Sequence, residues 1–554
     1  MHGSHGSIQQ AVGGSVHGDL IGHQTVQFAQ PLASTVLTLG ASDEIFVGRK
    51  EDLDALVAAL ERPAADGGGV LIHGLRGMGG IGKTALAKAV ARRVRQRFPD
   101  GQFLIDLRGA DDPASGLPSS VQIAWQTAMR RIAQHFFPDA RLPDDDDSLK
   151  ALYHSALRSR RVLLVLDNAF DAAQVAPLLP SSPSAAIVTT RHTFALGRGV
   201  VLRELGVLSE DDAVSMALRH APRLSPAQAR RLAVELCGRL PLAIEVAARG
   251  VQIEEVQGID QMLVELDHAR LSTLEAHGGV STDLAPVTAA ITWGFGRLAD
   301  DQTRERFLEL SVFPGGFDAA AAAAVWALPP GAVAETLRAL RRPHLIQLVR
   351  ESEAGETGEV GDGGERSSRF TLHDLLRLWV VERLAAAPDG PERLSTLRRR
   401  FSEHYAGVLG SAHDHYLGGD VKGGLRTFDA ERGNIEAGFA IATLAGMDTE
   451  ADRLIVRYGG EGVYVLDLRH GQRERIAWLE AQRDAARRLG DRRGEGNALG
   501  NLGNAYAALG EPRRAIEHYE QALTISREIG DRRGEGNALG NLGNAYAALG
   551  EPRR

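Results

Sequence analysis

Gly77-Met78-Gly79-Gly80-Ile81-Gly82-Lys83-Thr84 follows a short apolar run, Val70-Leu71-Ile72-His73, and leads into Thr84–Ala91, an alanine-rich stretch that opens a helix. Strand, G-x-x-x-x-G-K-T, helix is the context in which such a loop cradles phosphate. Its glycines let backbone N–H groups converge on phosphate oxygens without Cβ clashes. The helix N-terminus adds a favourable field for an anion. Lys83 is placed to reach the terminal phosphates, and the Thr84 hydroxyl to ligate Mg2+.

Two further strands lie downstream. Arg161–Asp167 (RVLLVLD) ends on an acid, where α/β sheets place ligands, so Asp167 is expected to be the acidic partner of the magnesium. Asn168 stands next, and an amide cannot take a proton from water at neutral pH, so slow hydrolysis is expected. Ala186–Arg191 (AIVTTR) ends on Arg191, which can reach a γ-phosphate; the bland alternative is a surface arginine. Lys83, Asp167 and Arg191 are thus the catalytic candidates, with Thr84 and Asp167 as metal ligands.

The C-terminal end repeats itself. Gly490–Arg514 recurs letter for letter at Gly530–Arg554, a shift of 40 residues, which signals a solenoid. Leu499, Leu502, Gly503 and Tyr506 fall on one helix face, Leu509–Pro512 breaks that helix, and Ala515, Tyr519, Ala522 and Leu523 line a second. The pattern resembles the tetratricopeptide repeat in a 40-residue form. Such an array offers a face to a protein or peptide.

Bulk properties narrow the classes. With 554 residues the chain needs several cores. A net charge of -8 argues against general nucleic-acid coating. A lone cysteine, Cys237, excludes an internal disulfide and fits a small buried residue in a reducing interior. The first residues lack the charged-then-apolar pattern of a leader, and the longest apolar run, Val162–Leu166, is far too short for a bilayer, so a cytoplasmic chain is expected.

More motifs follow in order: Phe46–Arg49 (FVGR), Cys237–Ala243 (CGRLPLA), Leu310–Phe317 (LSVFPGGF) and Phe370–Asp374 (FTLHD). Together with the loop they resemble the NB-ARC module of STAND signalling ATPases, over about residues 43 to 400. The resemblance implies a multidomain chain: an α/β P-loop NTPase core, a helical domain and a winged-helix domain, followed by an all-α tetratricopeptide solenoid. The expected boundaries are 1–42 for an N-terminal segment, 43–200 for the nucleotide-binding domain and 201–280 for a helical domain. A winged-helix domain is expected at 281–395, a helical connector with irregular repeats at 396–489, and repeats at 490–554. The resemblance also assigns cofactor-binding roles for ATP or ADP. Val47 and Arg49 lie beside the adenine, Pro241 packs on the base, and Gly77, Gly79, Gly80, Gly82, Lys83 and Thr84 hold phosphates. Arg191 senses the γ-phosphate, and His373 of a Met-His-Asp-like motif, here with Leu372, locks the ADP state. Taken alone, His373-Asp374 could simply start a helix.

Two segments stay open. Glu351–Glu365 is acidic and glycine-rich between apolar runs, and reads as the tip of a β-hairpin wing poorly suited to DNA. Ile8–Phe28 mixes branched residues with Gly, Gln and His, and resembles prion-like motifs that recruit an effector; a disordered leader is the alternative. The leading expectation is an ATP/ADP-controlled switch that senses a cue through its repeats, forms a homo-oligomer and recruits an effector in immunity or regulated cell death. No membrane or nucleic-acid partner is expected. A transcription regulator of the same class, a constitutive ATPase and a pure scaffold are the rivals.

Overall fold

The computed structural model describes residues 46–61, 68–74, 79–107, 124–137, 142–196, 200–253, 258–276, 284–349, 368–444 and 448–551. The N-terminal segment 1–42, Gly77 and the acidic stretch Glu351–Glu365 lie outside them.

The first unit is a parallel sheet of β1 (Gly68–Gly74), β2 (Gly101–Asp106), β3 (Val162–Ala169), β4 (Ala185–Thr190) and β5 (Val200–Leu205), in spatial order β2-β3-β4-β1-β5. Alternation along β3 sorts its side chains to two cores. Leu164 and Leu166 pack with Tyr153 and Met129 on one face, while Leu163 and Val165 meet Leu86 and Val90 of helix Lys83–Arg93 on the other. The sheet runs on to Leu205, past the boundary expected at residue 200, because β5 pairs with β1 along its length. Strand order matters for the site. β4 lies between β1 and β3, so its C-terminal end stands between the phosphate loop and Asp167.

Helices from Glu210 to Ala276 and from Ala285 to Ala385 follow. Within the second group β6 (Gln347–Val349) pairs antiparallel with β7 (Arg369–Thr371), the base of the hairpin read from the sequence. Four helices between Gly390 and Arg469 then lead to the repeats. These helical regions share one apolar core, and Ile81 of the phosphate loop is part of it, with no exposed surface. The loop is therefore anchored in the helical region as much as in its own sheet. Cys237 and Trp293 are buried in the same core, and burial pushes the thiol of Cys237 up, as befits an inert packing residue.

The repeat helices are Gln472–Leu489, Arg492–Ala508, Pro512–Glu528 and Arg532–Ala548. Leu499, Leu502, Gly503 and Tyr506 are buried, as the helical spacing requires. Gly503 marks a close approach: a Cβ there would stand 2.3 Å from Cε1 of Tyr519. The stem of this array returns to the sheet domain. Arg131 pairs with Glu436 at 3.4 Å, and the backbone N–H of Gln472 donates to Asp144 Oδ1 at 2.7 Å.

Candidate nucleotide site

The phosphate loop turns on glycines with positive φ, 73° at Gly80 and 91° at Gly82, where a side chain would be strained. Gly82 caps helix Lys83–Arg93 without a side-chain hydrogen bond, and the first turn carries no acid. Its N-terminal amides thus keep their positive field for an anion. Burial, and then the neighbouring Arg191, push the Lys83 amine down to about 8, while Asp167 and Asp374 act the other way. A phosphate beside it would restore the charged form.

Thr84 Oγ1 donates to both Asp167 oxygens at 3.0 Å. Thr189 Oγ1 donates to Asp167 Oδ1 and accepts the backbone N–H of Asn168 at 2.9 Å. Burial pushes the Asp167 carboxyl up, and these two hydroxyls only partly oppose that. A buried carboxylate beside a threonine hydroxyl is a hard oxygen set that fits Mg2+, whose charge would hold the carboxylate ionised.

Asn168 itself sits at a backbone irregularity. Its φ is 56°, and the β3–β4 register shifts between Leu166 and Ala169. Asparagine is among the few residues that tolerate this left-handed geometry. The bulge also breaks the strand alternation, so position 168 departs from a regular strand in direction as well as in chemistry.

Arg191 follows β4. Its Nη2 donates to Asp374 Oδ2 at 3.0 Å, and Arg377 stands 3.7 Å from the other oxygen. Burial opposes ionisation of Asp374, but Arg377, His373 and Arg191 together hold it below the usual carboxylate range. His373 is the N-cap of helix Asp374–Ala385, its Nδ1 accepting the N–H of Leu375 at 3.2 Å. That capping role needs a neutral ring, and burial pushes its value down to about 4. The plain helix-start reading of His373 therefore holds at the level of geometry, and the same turn lies over the phosphate loop. A Cβ at Gly79 would stand 2.7 Å from Leu375 Cδ2, and one at Gly80 3.2 Å from both Leu375 Cδ1 and Leu242 Cβ.

The remaining sequence-predicted residues that the structure describes are also brought to this junction. Pro241 lies against Gly82, with Cγ 3.7 Å from where a Cβ would be. Val47 packs on the helical core. Arg49, read as a neighbour of the adenine, is a buried clasp: its Nη2 donates to Ile81 O at 2.8 Å and Gly206 O at 2.7 Å, and its backbone N–H to Asp212 at 3.2 Å. It ties the phosphate loop to the start of the helical region. Thr189 was missed by sequence reasoning. In a strand it reads as an ordinary β-branched residue, and only the strand order shows what its hydroxyl meets. Leu242 and Leu375 were missed too; their signal was adjacency to Pro241 and Asp374.

Residues 45–282 match the family model of an AAA ATPase domain, and residues 476–528 and 494–554 match that of a tetratricopeptide repeat. The second match begins within helix Gln472–Leu489, earlier than the expected start at 490. The chain is 33% identical to Regulatory protein AfsR of Streptomyces coelicolor over 386 residues, 67% of this chain and 36% of that protein. Its counterpart in Streptomyces griseus is 34% identical over 339 residues, 60% of this chain and 32% of that protein. The chain thus spans about a third of the length of these relatives. Among solved structures, a STAND protein with a tetratricopeptide repeat sensor from Pyrococcus horikoshii is 16% identical, with a TM-score of 0.35 over 91% of this chain and 81% of that one. Among the described residues no helix is long and apolar enough to cross a membrane.

Proposed function

We propose that this chain, in which a P-loop ATPase domain precedes C-terminal tetratricopeptide repeats, is a STAND-class, ATP/ADP-controlled signalling switch whose closed state is held by Arg191 and Asp374. The observation that carries this reading is the 3.0 Å ion pair between the end of β4 and the His373-Asp374 turn, made directly over the phosphate loop. With ADP bound, Arg191 has Asp374 as its anionic partner. The γ-phosphate of ATP competes for the same guanidinium. Once Arg191 changes partner, the helix Asp374–Ala385 loses its tether to the sheet domain.

Lys83 and the loop amides hold the phosphates. Thr84 and Asp167 would hold Mg2+, which supplies charge neutralisation between phosphate oxygens. Position 168 offers water no proton acceptor, because its side chain is an amide and the left-handed bulge turns it out of the regular strand direction, so turnover is slow. Opening then releases the stem contacts Arg131–Glu436 and Asp144–Gln472, which link the repeats to the sheet domain. A cue on the repeats acts on the same contacts. Opened chains form homo-oligomers and cluster residues 1–42 to recruit an effector in an immunity-like response, a gain through effective concentration.

Native mass measurement with ADP and then ATP tests this. The expected result is an ADP-bound monomer and a larger species with ATP and the cue, both lost in Lys83→Ala. An unchanged mass in every nucleotide state overturns the switch. The similarity to Regulatory protein AfsR supports a second reading, a transcription regulator of the same ATPase class. Sequence-selective gel shifts that survive physiological salt would favour it.

A further inference from the structure

We propose that Glu436, His470 and Glu474 form a zinc site in the stem of the repeats, and that zinc competes with the sheet domain for Glu436. The site stands on its own geometry; that zinc thereby favours the open arrangement rests on the switch reading above.

Three elements meet at the site. Glu436 lies on helix Val421–Leu444, His470 ends helix Val463–Arg469, and Glu474 stands in the first turn of helix Gln472–Leu489. Their ligand atoms all lie within 4.8 Å of one another. His470 Nε2 is 3.8 Å from Glu436 Oε1 and 3.9 Å from Glu474 Oε1, too long for a hydrogen bond to either. The His470 side chain is 0% exposed, and neither ring nitrogen has a hydrogen-bond partner among the described residues. A buried polar group left this way is costly and calls for an explanation. The ring is held instead by T-shaped contacts with Phe428 and Trp478, at 6.0 and 4.9 Å between centroids. Packing thus aims an unpartnered imidazole nitrogen between two carboxylates.

One imidazole nitrogen and two carboxylate oxygens are a set that suits Zn2+, with a position left for water. Tetrahedral ligands about 2.1 Å from the ion stand about 3.4 Å apart, so each carboxylate closes by only about half an ångström.

The surrounding charges decide when the ion is welcome. Arg432 joins the two carboxylates: its Nε donates to Glu436 Oε1, and its Nη2 lies 3.5 Å from Glu474 Oε2. A hydrogen bond of this kind is the usual outer support of a ligating carboxylate. Asp429, which also faces Arg432, is taken by Arg469 at 2.8 Å. The stem alone therefore sets two carboxylates against one guanidinium and leaves a negative charge for the ion. The sheet domain adds two cations, both on helix Trp125–Phe136. Arg131 lies 3.4 Å from Glu436 Oε2, and Arg130 faces Glu474 and Arg432 while pairing with Asp144 at 3.5 Å. Docking thus cancels the charge that would hold the ion. By linkage, zinc that binds the undocked stem more tightly shifts the chain toward the undocked state.

The test is calorimetric titration of the nucleotide-free full chain with Zn2+ at neutral pH, beside Glu474→Gln, His470→Gln and Arg131→Gln. The count is read as the difference from the parent, so zinc on the chain's other histidines cancels. One site should disappear in Glu474→Gln and in His470→Gln. In Arg131→Gln that site should bind at least about tenfold tighter, because a competing charge has gone. Equal zinc binding in the parent and both ligand variants overturns the site, and an unchanged affinity in Arg131→Gln overturns the competition. If His470→Gln does not fold, Glu474→Gln decides alone, since that side chain is 31% exposed. Hydrogen exchange in helix Trp125–Phe136 is the second measurement. It should rise with Zn2+ in the parent and not in Glu474→Gln; exchange that ignores Zn2+ overturns the coupling to the sheet domain. No nucleotide enters either measurement, so a failure of the switch reading leaves both results intact.

Discussion

If Arg191 and Asp374 hold the closed state, their mutual interaction must appear as a coupling in ADP release. The perturbation is a cycle of Asp374→Asn, Arg191→Gln and the double variant. The pair is 3.0 Å apart, with side chains 21% and 39% exposed. Fully exposed pairs contribute about 0.2–1 kcal/mol, and breaking a buried one costs about 3–5 kcal/mol. This half-exposed pair lies toward the lower class, so about 1.4 kcal/mol is expected, or a tenfold change in an equilibrium. Asp374 also stands in the first turn of its helix, but that benefit is internal to the helix and cancels between closed and open states. The assay is dissociation of a fluorescent ADP analogue by stopped flow, with ADP only, so that no γ-phosphate term enters. Each single variant should release ADP about tenfold faster, and the double variant little faster than either. Rates that multiply, with a coupling under about 0.3 kcal/mol, mean that the pair is incidental and the proposed lock is wrong.

Thr189→Val removes the hydroxyl between Asp167 and Asn168; nucleotide affinity in the presence of Mg2+ should fall about tenfold, with Thr189→Ser close to the parent, as calorimetry can measure. With Lys83 pushed down to about 8 in the free site, phosphate binding takes up a proton, so ADP affinity should be flat below that pH and about tenfold weaker at pH 9; a flat titration to pH 9 refutes this. Gly503→Ala places a methyl against Tyr519, whose hydroxyl is fixed on Asn504 at 2.8 Å, and should cost about 1–3 kcal/mol of repeat stability in thermal melts. The equivalent Gly543 has nothing within 4 Å, so Gly543→Ala is the control and should stabilise through helix propensity. Asn168→Asp should leave ATP turnover within a few-fold of the parent, because the left-handed bulge redirects the side chain; a hundredfold gain would show that a carboxylate there does reach the attacking water.

Local chemistry was legible in the sequence, and long-range adjacency was not. The glycine turn, Asp167 and Arg191 could be read because each sits at the end of its own strand, and their convergence follows from the sheet being parallel. The edge strands β2 and β5 carried no such signal: GQFLID and VVLREL are short and half polar, and only pairing with β3 and β1 defines them. Thr189 gained its role from β4 inserting between β1 and β3, an order no local pattern states. Glu436 and the pair His470 and Glu474 lie on separate elements and form no motif. The repeats were legible for the opposite reason: each packs only on its neighbours, so a 40-residue period already contains their tertiary contacts. The leading helix Gln472–Leu489 departs from the exact copy, and its packing on Arg492–Ala508 was correspondingly hard to foresee.

The charge balance of the site explains why one phosphate can decide the state. Lys83, Arg191 and Arg377 converge on the loop, and in the closed arrangement Asp374 is the internal anion that answers Arg191 and Arg377. A further phosphate near Arg191 puts a second anion beside Asp374. Two unit charges about 4 Å apart repel by about 4 kcal/mol at an effective dielectric of about 20. Moving a two-state equilibrium from mostly closed to mostly open needs about 5.5 kcal/mol. Repulsion of Asp374 therefore supplies most of that difference, and a cue loosening the partly buried Arg131–Glu436 pair together with the Gln472–Asp144 hydrogen bond supplies the remaining ~1.5 kcal/mol. On these magnitudes ATP alone carries a mixture of about 1:99 to roughly nine-tenths open, whereas the cue alone leaves it largely closed. The chain should open in large part with ATP alone and fully with the two together, and the cue with ADP should leave it closed.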